Sequence, residues 1–178
     1  MSLLICPNCK SSLFDSKEKT YKCENNHSFD IAKQGYLNLL PVNQKKSKQP
    51  GDNEMMIAAR RNFLELGFYD PLIANIKKLI TDKLSFETKN IVAFDAGCGE
   101  GYYSEKALNN LPGLETEILG TDISKYAIKN AAKKYINNFY FVSSVYNLPI
   151  AKASTDLILS VFSPIMVEEF KRILSKQG

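Results

Sequence analysis

The sequence predicts an α/β protein in which a small zinc-binding module precedes a parallel sheet covered by helices. From residue 90 onwards, short apolar segments alternate with amphipathic helical segments, a pattern typical of a parallel sheet buried on both faces. Ahead of that region, three cysteines and the single histidine fall within the first 27 residues, at spacings that suit a zinc ion. The 178 residues are 44% hydrophobic and 24% charged, which excludes a largely disordered chain.

The sequence carries no sign of a membrane or of secretion. No apolar run approaches the roughly 18 to 20 residues of a membrane span, so we expect no membrane association. The N-terminal MSLLICP has neither a basic start nor a long apolar stretch, so the predicted compartment is cytoplasmic. Cysteines in that compartment are metal ligands or core thiols more often than disulfides.

Composition divides the chain into three segments. Residues 1–41 form the predicted zinc-binding module, residues 42–52 a basic linker, and residues 53–178 the α/β domain with its N-terminal helices. The net charge of +4 comes from the N-terminal half and is densest in the linker VNQKKSKQPGD. A local basic excess favours a polyanionic partner, although a solvated linker would have the same composition.

Four residues form the predicted metal site. Cys6, Cys9, Cys23 and His27 follow the pattern Cys-x2-Cys-x13-Cys-x3-His, and zinc takes four nitrogen or sulfur ligands in a tetrahedron. The alternative is three buried thiols beside an incidental imidazole. A segment of about 40 residues buries too little apolar surface to fold without a disulfide or a metal ion, which favours structural zinc. Four protein ligands close the coordination sphere, so this zinc is not expected to activate water.

Helices and strands are predicted in the following order. Asp52 caps a helix over 53–66 that Gly67 ends, and Asp70 with Pro71 begins a second helix. The remaining elements alternate as strands and helices. The strands are 90–94, 117–120, 139–142 and 156–162, and the helices are 102–110, 124–135 with Ser124 as cap, and 166–174.

A glycine loop lies between the first of these strands and its helix. Asp95 precedes Gly97, Gly99 and Gly101, a Gly-x-Gly-x-Gly spacing that differs from the Gly-x-Gly-x-x-Gly of dinucleotide sites and lacks the Gly-Lys-Ser/Thr of a P-loop. The loop resembles the first motif of S-adenosylmethionine-dependent methyltransferases. The alternative is a tight turn in a Rossmann-like protein of other function.

Later residues extend this resemblance. Asp122 closes the second strand, where a carboxylate can accept both ribose hydroxyl protons. Ser143 and Ser144, followed by Leu148-Pro149, occupy the position that contacts the adenine ring in this superfamily. Cys98 is interpreted as a small packed residue, since no histidine remains to activate it.

The two parts together resemble the large-subunit ribosomal RNA guanine-N1 methyltransferase family. This resemblance covers nearly the whole chain. It implies a Rossmann-like methyltransferase domain over 53–178 that transfers a methyl group from S-adenosylmethionine to N1 of one guanine in a 23S rRNA hairpin. The residues that carry it are the four zinc ligands, residues 29–41, 50–52, 55–56 and 59–61, and the glycine loop over 95–103.

The resemblance also implies that Tyr69, Tyr103 and Ser104 line the cofactor pocket. A homodimer is compatible with this resemblance. No residue can be named as the base that removes the N1 proton. The predicted cofactor-binding residues are Tyr69, Asp95, Gly97, Gly99, Glu100, Gly101, Tyr103, Ser104, Asp122, Ile123, Ser143 and Ser144.

RNA contacts are predicted on the N-terminal half. Basic side chains grip phosphates and an aromatic ring stacks on a base. Alternatively, Arg60 and Arg61 pair with acids on neighbouring helices, and Tyr36 belongs to the core. The predicted RNA-binding residues are Lys33, Tyr36, Lys45, Lys46, Lys48, Arg60 and Arg61.

The family's domain continues past a Lys-Pro-Gly-Gly-like turn, whereas this sequence stops where that turn begins. We therefore expect an incomplete sheet with four of the usual seven strands and an apolar edge at 156–162. Two other functions stay open. One is an RNA-binding or assembly module with a non-catalytic cofactor half-site, and the other is a methyltransferase for another RNA base or a small molecule.

Overall fold

The computed structural model describes residues 3–17, 19–45, 47, 50–83 and 89–176. It contains a small antiparallel sheet and a larger parallel sheet flanked by helices. The small sheet consists of β1 (Phe14–Asp15), β2 (Thr20–Lys22) and β3 (Ser28–Asp30). The large sheet consists of β4 (Tyr36–Asn38), β5 (Asn90–Ala96), β6 (Glu115–Asp122), β7 (Phe139–Val142) and β8 (Leu157–Leu159).

Within the described residues, five α-helices accompany the sheets, and a short 3-10 helix spans Val42–Gln44. The first two lie between β4 and β5 along the chain, and the other three follow β5, β6 and β8. They are α1 (Glu54–Glu65), α2 (Asp70–Lys83), α3 (Tyr102–Leu108), α4 (Lys125–Lys134) and α5 (Val167–Ile173). Within the described ranges, no helix has the length and apolar composition needed to cross a membrane.

The large sheet has the strand order β4-β7-β6-β5-β8, and all of its pairings are parallel. The four predicted strands form its greater part. Its β8 edge is shorter than the predicted 156–162, because pairing with β5 ends at Leu159. The parallel sheet is confirmed, and its glycine loop and Asp122 lie together at the carboxyl ends of β5 and β6.

A fifth strand, β4, comes from the segment expected in the zinc module. It pairs with β7, with Tyr36 opposite Tyr140 and Leu37 opposite Phe141. Tyr36 is therefore 4% exposed, and the prediction that it stacks on an RNA base is wrong, because its ring lies inside the core. The predicted zinc-binding module, residues 1–41, therefore includes a strand of the large sheet.

The N-terminal segment shares one hydrophobic core with the large sheet. Leu4 and Leu13 are buried in the same cluster as Phe141, Leu148 and Ile150. Main-chain hydrogen bonds join the two as well, from the Ile5 amide to the Pro149 carbonyl (3.0 Å) and from the Ala151 amide to the Leu3 carbonyl (2.9 Å). The zinc-binding segment is thus packed on the loop that follows β7.

Of the caps of α4 and α1, one matches the prediction and the other differs by one residue. Ser124 caps α4 as predicted, accepting from the Ala127 amide at 3.3 Å. The cap of α1 is Asn53, whose side chain accepts from the Met56 amide at 3.0 Å, so the prediction of Asp52 is wrong by one residue. Asp52 has other partners, because its carboxylate pairs with Arg60 at 2.5 Å and its carbonyl accepts from the Ser124 hydroxyl at 2.6 Å.

Candidate functional site

The four predicted metal ligands converge at one point of the N-terminal segment. Cys6 and Cys9 lie in the turn before β1, whereas Cys23 and His27 flank the turn between β2 and β3. Their ligand atoms all lie within 4.8 Å of one another. The Nδ1 atom of His27 is 3.5 Å from the Cys6 sulfur and 3.4 Å from the Cys23 sulfur, and the sulfurs of Cys9 and Cys23 are 3.7 Å apart.

These separations fit a tetrahedral zinc ion. Bonds of about 2.3 Å to sulfur and about 2.0 Å to nitrogen place two sulfurs about 3.8 Å apart and a sulfur about 3.5 Å from a nitrogen. Cys6 and Cys23 are buried, while Cys9 and His27 are partly exposed. Four protein side chains would occupy all four coordination positions of the ion. It would therefore hold the two turns together and leave no open position for a substrate.

The glycine loop connects β5 to α3 and is tied to the neighbouring strand. The amides of Gly97 and Cys98 both donate to the Thr121 carbonyl, at 2.9 and 2.8 Å. Gly97, Gly99 and Gly101 have φ values of +78°, +56° and +78°, in the left-handed region that favours glycine. The loop backbone is therefore held open at the carboxyl edge of the sheet, where a ligand can approach it closely.

Two glycines of this loop offer a matched comparison. A Cβ at Gly97 would lie 2.4 Å from the Ser163 Cβ, whereas one at Gly99 meets no described atom within 4 Å. Left-handed strain of about 1–2 kcal/mol applies to alanine at either position, and overpacking of about 1–3 kcal/mol is added at Gly97. We expect Gly97→Ala to lower the free energy of unfolding in urea, without cofactor, by more than Gly99→Ala. Equal losses would contradict this arrangement.

Asp122 lies at the end of β6 and faces the loop. One carboxylate oxygen accepts from the Gly99 amide at 3.0 Å, and the other accepts from the Ser124 amide at 2.7 Å. Burial raises the pKa of Asp122, and these two hydrogen bonds stabilise its ionised form. Carboxylate oxygens have further lone pairs, so the side chain can still accept from the hydroxyl groups of a ligand.

Asp95 and Ser104 lie behind the loop. Asp95 is 2% exposed and Ser104 is fully buried, and the Ser104 hydroxyl donates to an Asp95 carboxylate oxygen. Gly101 is also buried, with the Tyr140 hydroxyl 2.5 Å from the place of its absent Cβ. None of these three residues reaches the cavity wall, so their predicted direct contact with the cofactor is not supported by their positions. They support the loop from inside.

Asp95 gives the protein a pH-dependent stability. Burial, and secondarily the charge of Asp122, raise the pKa of Asp95 to about 7, against about 3.9 in an unfolded chain. The unfolded state then ionises first, so this group's contribution to stability falls as pH rises from about 4 to 7. A difference of one in pKa corresponds to about 1.4 kcal/mol, so the free energy of unfolding changes by a few kcal/mol in total.

Urea unfolding of the wild type and of Asp95→Asn at several pH values measures this effect. We expect the wild type to lose stability relative to the variant between pH 4 and 7, because asparagine does not titrate. Parallel stability curves for the two proteins would contradict a raised pKa at Asp95.

A cavity of about 630 Å³ opens over the glycine loop. Its wall contains nine of the twelve predicted cofactor residues. They are Tyr69, Gly97, Gly99, Glu100, Tyr103, Asp122, Ile123, Ser143 and Ser144. Ser143 is itself buried, with its hydroxyl 2.8 Å from that of Thr121.

The cavity wall also holds residues that are not among the predicted cofactor-binding residues. They come from the segment before α1, from α1, and from the loops after β7 and β8. For the segment before α1, the glycine of Pro50-Gly51 is the one sequence signal. In the structure a Cβ at Gly51 would lie 2.9 Å from Ile123 and Ser124 side-chain atoms, so this position favours glycine. The others carry no motif. These residues include Gly51, Asp52, Ile57, Phe63, Tyr146, Phe162 and Ser163.

Besides the buried Tyr36, the predicted RNA-binding residues differ in their surroundings. Arg60 and Arg61 are on the cavity wall, and each pairs with an acid. Arg60 contacts Asp52, and Arg61 contacts Glu100 of the glycine loop through several hydrogen bonds. Lys33 and Lys45 are exposed. Lys46 and Lys48 lie outside the described residues.

The parallel sheet, the glycine loop and the cavity at its carboxyl edge are those of a Rossmann-like S-adenosylmethionine-dependent methyltransferase domain, here preceded by a zinc ribbon. Two family models match the chain accordingly. The one described as "RlmA, N-terminal" matches residues 4–48, and the one described as "Methyltransferase domain" matches residues 93–178. The chain thus matches an RlmA-type zinc ribbon and a methyltransferase domain in succession, and its homologues carry the name 23S rRNA guanine-N1 methyltransferase.

Two of these homologues match nearly the whole chain. The 23S rRNA (guanine(748)-N(1))-methyltransferase of Streptomyces fradiae is 33% identical over 176 residues, which are 98% of this chain and 60% of the relative. YxjB of Bacillus subtilis (strain 168), provisionally named a 23S rRNA (guanine-N(1)-)-methyltransferase, is 35% identical over 184 residues, which are 99% of this chain and 62% of the relative. The chain spans about three fifths of the length of these relatives.

A solved structure shows the same fold. It is that of a Methanococcus maripaludis protein provisionally described as an S-adenosyl-L-methionine-dependent methyltransferase. The TM-score is 0.54 with 24% sequence identity, over 74% of this chain and 65% of that chain.

Proposed function

We propose that the protein transfers a methyl group from S-adenosylmethionine to N1 of a guanine in a 23S rRNA hairpin. The observation that supports this most is the presence, in one chain, of the RlmA-type ribbon and of a cavity on which most predicted cofactor residues converge. The relatives that match both parts carry the name of this activity.

The cavity supplies positions for each part of the cofactor. S-adenosylmethionine supplies a sulfonium methyl group, and its transfer depends mainly on holding the acceptor in line with that group. In this proposal Asp122 accepts from the ribose hydroxyls, Ser143 and Ser144 border the adenine, and the glycine loop faces the methionine part. N1 lies on the pairing edge of guanine, so the base must be unpaired or flipped to reach the cavity.

The RNA contacts proposed here are electrostatic. Lys33 and Lys45 are exposed and can neutralise phosphates, so hairpin binding should weaken steeply with salt. An rRNA substrate also suits the cytoplasmic location predicted from the sequence. The homodimer stays part of the proposal, and sedimentation with and without the hairpin tests it.

The test combines label transfer with primer extension. Zinc-loaded protein is incubated with tritiated S-adenosylmethionine and a transcript of the 23S rRNA hairpin, beside a transcript whose target guanine is replaced by adenine. An N1-methyl group blocks the pairing edge, so we expect label in the first transcript only and a reverse-transcription stop at the target. Label without a stop would indicate another base or atom. RNA binding without label would favour the non-catalytic binding module.

A further inference from the structure

One end of the cavity is walled by aromatic rings. Tyr69 lies edge-on to Tyr103, with ring centroids 6.2 Å apart, and edge-on to Phe162 at 5.7 Å. Phe162 also contacts Tyr103 at 6.2 Å, and Phe63 contacts Tyr69 at 5.9 Å. These four side chains all belong to the cavity wall, and we call them the aromatic wall.

Phe162 differs from the rest of the aromatic wall in its exposure and its backbone. It is 78% exposed, although burying a phenylalanine ring is ordinarily favourable. Its φ is +55°, an uncommon conformation for a bulky residue and one that persists only where the surrounding structure enforces it. The fold therefore holds this ring out towards solvent at a cost in backbone energy.

Ser163 provides the anchor that enforces this conformation. Its hydroxyl donates to the Ala96 carbonyl at the end of β5 and lies 2.8 Å from the Ser160 hydroxyl. Its Cβ also occupies the space beside Gly97 that a side chain there would need. The exposed ring is thus fixed to the end of the sheet and is not a free loop side chain.

The anchor also places Phe162 relative to the cofactor. Because Ser163 packs on Gly97, the ring stands at the glycine-loop end of the cavity. In the proposed function this end receives the methionine part and its methyl group, whereas Asp122 and Ser143 receive the ribose and adenine. A flat acceptor that approaches the methyl group from solvent would pass over the exposed ring.

We propose that Phe162 is the platform on which the target base of the RNA stacks, with Tyr69 and Tyr103 holding the ring in place. This inference rests on the proposed function and adds to it the residue that receives the base. Stacking suits a flipped purine because every base presents a π face, and the loss of one stacking ring weakens binding roughly 5- to 150-fold.

The test compares Phe162→Ala and Phe162→Tyr with a control, Phe68→Ala. Phe68 is similarly exposed at 67% and contacts Phe63, but it lies outside the cavity wall. The probe is the 23S rRNA hairpin with 2-aminopurine at the target position, titrated with protein saturated with S-adenosylhomocysteine. The affinity of each variant for S-adenosylhomocysteine and its transfer of methyl groups to unmodified hairpin are measured in parallel.

We expect the wild type, Phe162→Tyr and Phe68→Ala to bind the hairpin with the 2-aminopurine fluorescence quenched by stacking. Phe162→Ala should bind roughly 5- to 150-fold more weakly and leave the probe several-fold brighter at saturation. Its affinity for S-adenosylhomocysteine should stay within about twofold of the wild type, since the remaining cofactor contacts are intact.

Three outcomes would contradict or separate the two proposals. If Phe162→Ala matches the wild type in hairpin affinity and fluorescence, the platform is elsewhere. If it loses affinity for S-adenosylhomocysteine, the ring serves the cofactor and the inference is overturned. If the wild type transfers no methyl group while the contrast between Phe162→Ala and Phe162→Tyr holds, the proposed function fails and the base platform stands.

Discussion

Replacing Cys6 by alanine is expected to remove zinc and to unfold the N-terminal ribbon. Structural zinc supplies about 10 kcal/mol or more of folding free energy in small zinc domains. Cys6 also belongs to the core cluster that contains Phe141, Leu148 and Ile150, so the loss should reach the large sheet. We expect less than one zinc per chain by elemental analysis and a much lower melting temperature.

The control for this experiment is Cys98→Ala. Cys98 is also buried, but it lies in the glycine loop and outside the metal cluster. Burial raises its pKa well above that of an ordinary thiol. Cys98→Ala should keep one zinc per chain. Full zinc content in Cys6→Ala would show that the cluster does not bind the ion.

The second large effect is expected at Asp122, where alanine should weaken cofactor binding by two to four orders of magnitude. Each hydrogen bond to a charged group contributes about 1.5–3 kcal/mol, and two such bonds to the ribose sum to roughly 3–6 kcal/mol. One order of magnitude in affinity corresponds to about 1.4 kcal/mol. Isothermal titration with S-adenosylmethionine measures the change.

Two further variants separate a cofactor role from a structural one. Asp122→Ala also leaves the Gly99 and Ser124 amides without their acceptor, so some loss of stability accompanies it. Asp122→Asn keeps one acceptor oxygen and should fold better while still binding weakly. Glu117→Gln, on the same strand but exposed, should bind normally. Wild-type affinity in a folded Asp122→Asn would place the ribose elsewhere.

The large sheet was predictable where strong local signals coincide. The bounds of β7 and the Ser124 cap of α4 match the structure, because an apolar run between turns and a serine before a helix are local patterns. By contrast, β4 has only three residues and no alternation of its own. Its strand conformation depends on pairing with β7, which no local pattern reveals.

The metal cluster and most of the cofactor cavity were predictable for a similar reason. Metal-ligand spacing and a glycine loop are both short sequence motifs. In the structure the metal ligands form one cluster, and most of the predicted cofactor residues line one cavity. Phe162 was not found, because the run DLILSVF continues the apolar pattern of β8 beyond its last paired residue. Hydrophobicity cannot show where pairing stops and the chain turns to expose a ring.

The pairing of β4 with β7 has a consequence for how the protein reaches its native state. Leu37 and Phe141, which face each other in the sheet, are about 100 residues apart in the chain, and such long-range contacts slow folding. During synthesis the zinc ribbon emerges from the ribosome long before β7. The zinc cluster can therefore assemble while β4 still has no partner strand. The insertion of β7 between β4 and β6 would follow, and β8 would pair with β5 after that. Metal capture early in translation would thus precede assembly of the five-stranded sheet.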